Sequence, residues 1–269
     1  MKIKEKQKLV KEWFKKLQNI ICNNVEQLEK EFGSNIKFKK NKWKHGEFRI
    51  IKGKVIEKGG VAFSNVKGKF SKEFSKKIPG TKNNTNFWSS GVSVVFHPKN
   101  PKIPAMHFNT RFICTQKNWF GGGMDMTPCI LDNKEKRYFH HVLKTMCNLH
   151  SKKYYPRYKK WCDKYFYLPH RKESRGIGGI FFDYKMDDWE KDFLFIKNVG
   201  ITFNYLIKKI FEKKMFSKWT KKQKQIQLLK RGRYVEFNLL HDRGTKFGLN
   251  SGGNTEAILM SMPPEAKWK

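Results

Sequence analysis

Between Ser93 and Arg111 the chain reads SVVFHPKNPKIPAMHFNTR, with two apolar runs on either side of a turn marked by Pro98, Pro101 and Pro104. The runs, Gly91 to Phe96 and Met106 to Thr115, predict neighbouring strands, because proline cannot donate to a ladder and is confined to the gap. Side chains along a strand alternate between faces with period two. Ser93, Val95 and His97 therefore share one face of the first strand, and His107, Asn109 and Arg111 share one face of the second. Phe108, Phe112 and Cys114 take the opposite face. A hydroxyl, two imidazoles, an amide and a guanidinium thus line one wall whose reverse is apolar enough to be core. That wall faces either water or a ligand.

The elements around this hairpin do not alternate as βαβ units would. Apolar positions from Leu9 through Trp13, Leu17, Ile21, Val25 and Phe32 predict a helix over 3–32, stopped by Gly33. Residues 36–70 read as antiparallel hairpins punctuated by glycine, and 71–86 as a loop. After the central hairpin comes WFGGGMDMTP, whose consecutive glycines let a backbone approach a ligand, take positive φ, or form an ordinary flexible loop. A helix is expected over 133–150, and Pro156 suits the first turn of another that ends near Pro169. His170 to Gly176 reads as a basic loop and Gly178 to Tyr184 as a buried strand. Residues 188–216 read as helix interrupted by Gly200. Thr220 with Gln223 forms a capping box for a short helix ending at Gly232. Arg233 to Leu240 reads as a strand, Asp242 to Gly244 as a turn, and a short helical run follows Asn254. The expected class is α+β, one domain over residues 1–269, with a mostly antiparallel sheet covered by helices.

Lysine and arginine number 58 against 23 acidic residues, a net charge of +35. Such a field attracts polyanions: nucleic acid, anionic membrane, or a small polycarboxylate. The lysines are spread along the whole chain, as a compositional bias would spread them. Five cysteines form no CxxC pair and imply reduced thiols and a cytoplasmic setting. Neither a signal peptide nor a membrane span is legible. The histidines lack the HExxH type of spacing, and GxSxG, GxGxxG and Walker patterns are absent. The recurring elements are arginine beside glycine: Arg111, Gly121 to Gly123, Arg175-Gly176, Arg231 to Arg233, Arg243-Gly244 and Gly252-Gly253. Arginine grips carboxylates in a bidentate fork, so this set suits a small polycarboxylate better than a duplex.

The segments GVSVVFHPKNPKIP, HFNTRF, WFGGGMDMTP, YPRYKKWCDKYFYLPHRKESRGIGGIFFD and RGRYVEFNLLHDRGTKFGLNSGG…TEAILMSMPP, in that order, resemble the oxygen-dependent coproporphyrinogen III oxidases. The resemblance implies a homodimeric enzyme of haem biosynthesis with a large antiparallel sheet sandwiched by helices. It implies oxidative decarboxylation of two propionates of coproporphyrinogen III to vinyls, with oxygen as co-substrate and protoporphyrinogen IX, carbon dioxide and hydrogen peroxide as products. No flavin, haem or nicotinamide is expected. Substrate contacts are implied at Ser93, Asn109, Thr110, Arg111, Gly252, Gly253 and Asn254, catalytic roles at His107 and Asp125, and a divalent metal at His97, His107, His140 and His170. Asn254 stands where relatives usually carry arginine, and relatives are expected to run on past Lys269. A basic nucleic-acid-binding protein and a catalytically weakened paralogue on the same scaffold are the alternatives.

Overall fold

The computed structural model describes residues 1–76, 78–250 and 253–269. The chain begins with α1 (Ile3–Glu31), whose buried Val10, Phe14, Leu17, Ile21, Val25 and Leu28 follow helical spacing. Then come β1 (Lys39–Trp43), β2 (Gly46–Ile51), β3 (Ile56–Lys69), a short α2 (Lys72–Ser75) within the expected loop, β4 (Asn86–Pro98), β5 (Ala105–Cys114) and β6 (Asn118–Thr127). Helices α3 (Asn133–Asn148) and α4 (Tyr154–Tyr165) precede the small β7 (Tyr167–Leu168) and β8 (Glu173–Ser174) hairpin and the long strand β9 (Gly179–Lys185). The chain closes with α5 (Trp189–Lys214), α6 (Lys221–Leu240), α7 (Arg243–Asn250) and α8 (Thr255–Leu259).

The main sheet has seven strands in the order β1-β2-β3-β4-β5-β6-β9, every pair antiparallel. Its even-numbered face on β4 and β5 carries Val92, Val94, Phe96, Met106, Phe108 and Phe112, which join α1 and α5 in one apolar core. Thr110 lies on that same face and is 1% exposed. Gln18 of α1 donates to the carbonyls of Glu47 on β2 and Val61 on β3, two backbone groups that the helix covers. The opposite face meets α6 and the C-terminal segment, since Tyr234 stacks edge-on against His97 and Gly60 backs onto Met260. Helix α4 packs on β9, with Tyr158 against Phe182 and Trp161 against Phe181. The expected α+β sandwich is therefore present.

Of the alternatives open for WFGGGMDMTP the flexible loop is excluded, because residues 118–127 form β6, a buried inner strand. Three local expectations are corrected. Gly200 does not interrupt α5, because it packs directly against the Leu17 side chain of α1. Residues 242–244 open α7 rather than forming an isolated turn.

The largest correction concerns 233–240, which continue α6 instead of forming a strand. The alternation of Val235, Phe237 and Leu239 with polar neighbours misled because burial follows another period. Leu228, Arg231, Tyr234, Phe237 and Asn238 are buried, while Leu239 and Leu240 are 45% and 51% exposed. Gly232 is no helix stop either. A Cβ there would come within 2.5 Å of the Lys267 carbonyl, so the glycine lets the C-terminal segment lie against the helix. Gly232→Ala would gain roughly 0.5–1 kcal/mol at an exposed helical site. Here the clash should instead destabilise the protein by about 1–3 kcal/mol, read as a lower urea midpoint. A rise in midpoint would show that Lys267 does not press on this helix.

Candidate active site

The register of the sheet brings the predicted polar wall into three rows. Arg111 lies between Gly91 on β4 and Gly121 on β6. Asn109 lies between Ser93 and Gly123, and His107 between Val95 and Asp125. Beyond β4, the rows continue through Ser64, Ala62 and Gly60 on β3. Asn109 and Arg111 on β5 thus stand beside residues that present hydrogen, methyl or hydroxymethyl groups, whereas His107 is flanked by Val95 and Asp125. The result is a broad hollow on the sheet, floored by backbone. The glycines of β6 offer no free donors, because their amides lie in the ladders with β5 and β9, and a Cβ on Gly121 would meet Asp183 and Arg111 while one on Gly123 would meet the Ile180 carbonyl. This corrects the expectation that they would bind carboxylates.

At one end of the hollow sits a buried charge network. His107 Nδ1 donates to Asp125 Oδ1 at 2.8 Å, and the imidazole keeps 18% of its side-chain surface exposed. Arg175 Nη2 donates to Asp125 Oδ2 at 2.5 Å. Asp125 and Arg175 are only 2% and 3% exposed. Burial pushes the Asp125 carboxyl up, but Arg175 and His107 outweigh it and hold its pKa below the usual carboxylate value. Burial lowers Arg175, yet Asp125 raises it above its ordinary value. The guanidinium is boxed by the rings of Phe166, Tyr234 and Phe237 at 4.0, 4.7 and 4.7 Å. Arg175, expected among the carboxylate-gripping arginines, is thus an internal partner. Phe166 also meets the His107 ring edge-on, so α4, α6 and the sheet converge on this dyad.

At the other end Arg111 is half-buried. Its Nη1 donates to Asn109 Oδ1 at 3.2 Å and its Nη2 to Asp183 Oδ2 at 2.6 Å. Asp183 was invisible as a site residue in the sequence, where FFDY reads only as strand. Strand parity did carry a signal, since Gly179, Phe181 and Asp183 share a face, but the pairing of β9 with β6 is not written in the sequence.

The remaining predicted residues separate. Thr110 turns its side chain to the helical core and offers the hollow only backbone. Gly252 lies outside the described residues. Gly253 donates its amide to Gly248, and Asn254 caps α8 by accepting from Ala257 N at 2.8 Å. The four histidines do not converge on a metal. His97 Nε2 donates to the Ser261 carbonyl, and its buried Nδ1 has no partner. His140 donates from Nε2 to the Ile177 carbonyl while Nδ1 accepts from Tyr155. His170 uses both nitrogens, on Glu236 and His241. Among the described residues no group of three or more His, Cys, Asp or Glu could hold a metal ion. These donors do not fit a shared metal centre.

One sheet face thus brings an arginine, an amide, a hydroxyl and a His–Asp dyad together. The family model described as coproporphyrinogen III oxidase matches residues 9–269. The chain is 48% identical over 276 residues to the oxygen-dependent coproporphyrinogen-III oxidase of Rickettsia bellii, covering 98% of this chain and 99% of that one. It is 47% identical over 279 residues to the enzyme of the same name from Rickettsia akari, covering 100% of each chain. The chain belongs to the coproporphyrinogen III oxidase family.

The buried His97 allows a test of this geometry by pH. Burial pushes its imidazole down to about 3. The unfolded chain therefore binds a proton that the folded one excludes, and stability falls as pH drops below about 6.5. His97→Gln, which can still donate to Ser261, should remove about 1.4 kcal/mol per pH unit from that slope between pH 6 and 4.5. Denaturant melts with parallel slopes for the two proteins would place the missing proton elsewhere.

Proposed function

We propose that this chain oxidatively decarboxylates two propionates of coproporphyrinogen III to vinyls, giving protoporphyrinogen IX, with dioxygen as the electron acceptor. The observation that carries the reading is the glycine-cleared hollow with Arg111 at one end and the His107–Asp125 dyad at the other. A porphyrinogen carries four carboxylates on a flexible macrocycle. Arg111, with Asn109 and Ser93 beside it, holds one of them by charge-assisted hydrogen bonds. That contact places another propionate near His107.

Each vinyl forms when a hydride equivalent leaves the propionate β-carbon and the carboxylate departs as carbon dioxide, its electron pair closing the double bond. Dioxygen takes up the hydride equivalent and one proton, leaving hydrogen peroxide. His107 Nε2, the ring nitrogen not engaged by Asp125, is the group that moves this proton. Asp125 fixes the ring tautomer from behind. Both of its oxygens are engaged by His107 and Arg175, which favours this role over direct pairing with pyrrole N–H groups. A metal has no place in this scheme.

Five free cysteines suit a cytoplasmic setting, and no helix among the described residues is long and apolar enough to cross a membrane. Exposed Leu239, Leu240 and Leu249 near the C-terminus support a homodimer.

Oxygen uptake and porphyrin fluorescence with reduced coproporphyrinogen III test the scheme. Asp125→Asn keeps the side-chain shape and should lower kcat by roughly 100-fold or more, with KM within a few-fold of wild type. Equal losses in kcat and affinity would remove the dyad from the chemistry. Arg111→Ala should weaken tetracarboxylate binding by roughly 1.5–3 kcal/mol. Unchanged affinity would exclude Arg111 as the clamp. Wild-type protein that consumes no oxygen with this substrate would overturn the reading.

A further inference from the structure

Asp183 keeps the strand parity of Gly179 and Phe181, and the pairing of β9 with β6 breaks directly after it. Opposite β6, the register of β9 shifts: Phe120 pairs with Lys185 and Gly122 with Phe182. Asp183 and Tyr184 therefore stand against the single residue Gly121, a bulge. Tyr184 has φ 54°, a left-handed conformation that a bulky side chain rarely takes. Its amide donates to Asp183 Oδ1 at 3.0 Å, which fixes the carboxylate. A Cβ on Gly121 would strike Asp183 Oδ1 and come within 3.0 Å of Arg111 Nη2. Bulge, left-handed residue and missing side chain all serve one contact, the Arg111–Asp183 pair. Bulges and strained residues are common beside functional sites.

The contact has a consequence for the clamp. Asp183 is itself a carboxylate on the guanidinium that the proposed function assigns to a substrate propionate. Its side chain is 10% exposed and that of Arg111 is 29% exposed, so solvent screens the pair only in part. We propose that Asp183 is a resident competitor for Arg111 that sets how tightly the site grips a porphyrinogen carboxylate. This rests on the reading of Arg111 as the clamp. In the empty site the pair is electrically neutral and the guanidinium is held in one orientation by Asp183 and Asn109. An arriving propionate binds to the remaining N–H edge against the repulsion of Asp183. Grip is thereby weakened for substrate and product alike, and the product, with two carboxylates fewer, leaves the more readily. Asp183 acts through Arg111 and is a specificity-determining residue rather than a catalytic one.

Fluorescence titration with coproporphyrin III, the stable oxidised tetracarboxylate, tests this without turnover. Asp183→Asn removes the charge and keeps a single acceptor oxygen, enough for the Tyr184 amide or the Arg111 guanidinium but not both. It should bind the porphyrin roughly tenfold more tightly than wild type, and its affinity should fall more steeply with salt. Arg111→Ala with Asp183→Asn should bind no better than Arg111→Ala alone. Asp183→Ser, which also removes the charge, carries the same expectation if the asparagine variant does not fold. Unchanged or weaker binding in a folded charge-removing variant would overturn the proposal, as would a tightening that survives loss of Arg111. Wild-type protein that binds the porphyrin but consumes no oxygen with the porphyrinogen would overturn the oxidase reading and leave this one standing.

Discussion

A carboxylate with 2% of its surface exposed must be paired, and Asp125 is paired twice, to His107 on the neighbouring strand and to Arg175 after the β7–β8 hairpin. Removing one partner from such a buried set leaves an uncompensated charge, at a cost of roughly 3–5 kcal/mol. The network therefore fixes more than one ring. Arg175 is held among Phe166, Tyr234 and Phe237, so the same contact ties the sheet to α4 and α6. The helical layer over this face is positioned by the group that orients His107. Stability and the proposed chemistry meet at one side chain.

The second constraint is subtraction. A sheet face is ordinarily filled by alternate side chains, and here Ala62, Gly91, Gly121 and Gly123 add little beside Asn109 and Arg111 of β5, while Gly60 is covered by Met260. Glycine within a strand costs stability and packs nothing. The opposite face compensates with a dense aromatic core that includes Phe96, Phe108, Phe112, Phe120, Phe182, Phe195 and Phe203. One face carries the main apolar core, while the other is covered by α6 and the C-terminal segment around His97 and Asp125 and only partly buried around Asn109 and Arg111. Even the bulge at Asp183 depends on this clearance, since it is seated over Gly121.

Period-two alternation sufficed to place Ser93, His107, Asn109 and Arg111 on one wall before any coordinates, because both strands of that hairpin are local and strongly patterned. The same rule failed for 233–240, where polar and apolar residues alternate on a helix and only contacts with residues far away in sequence select the period. WFGGGMDMTP was ambiguous for a related reason: glycines that look loose in isolation are fixed by neighbouring strands on both sides. Asp183 and Arg175 could not be assigned their partners from sequence, because each ion pair joins residues at least 50 positions apart. The four histidines show the converse. The resemblance to the family suggested a common ligand set, and the structure gives each its own hydrogen-bond partners.

The most direct measurement is a crystal structure of the protein with coproporphyrin III. The macrocycle should lie on the sheet over Gly91, Gly121 and Gly123, with one propionate on Arg111 and another near His107 Nε2. A macrocycle bound elsewhere, or one that leaves both Arg111 and His107 untouched, would contradict the assignment of this face as the active site.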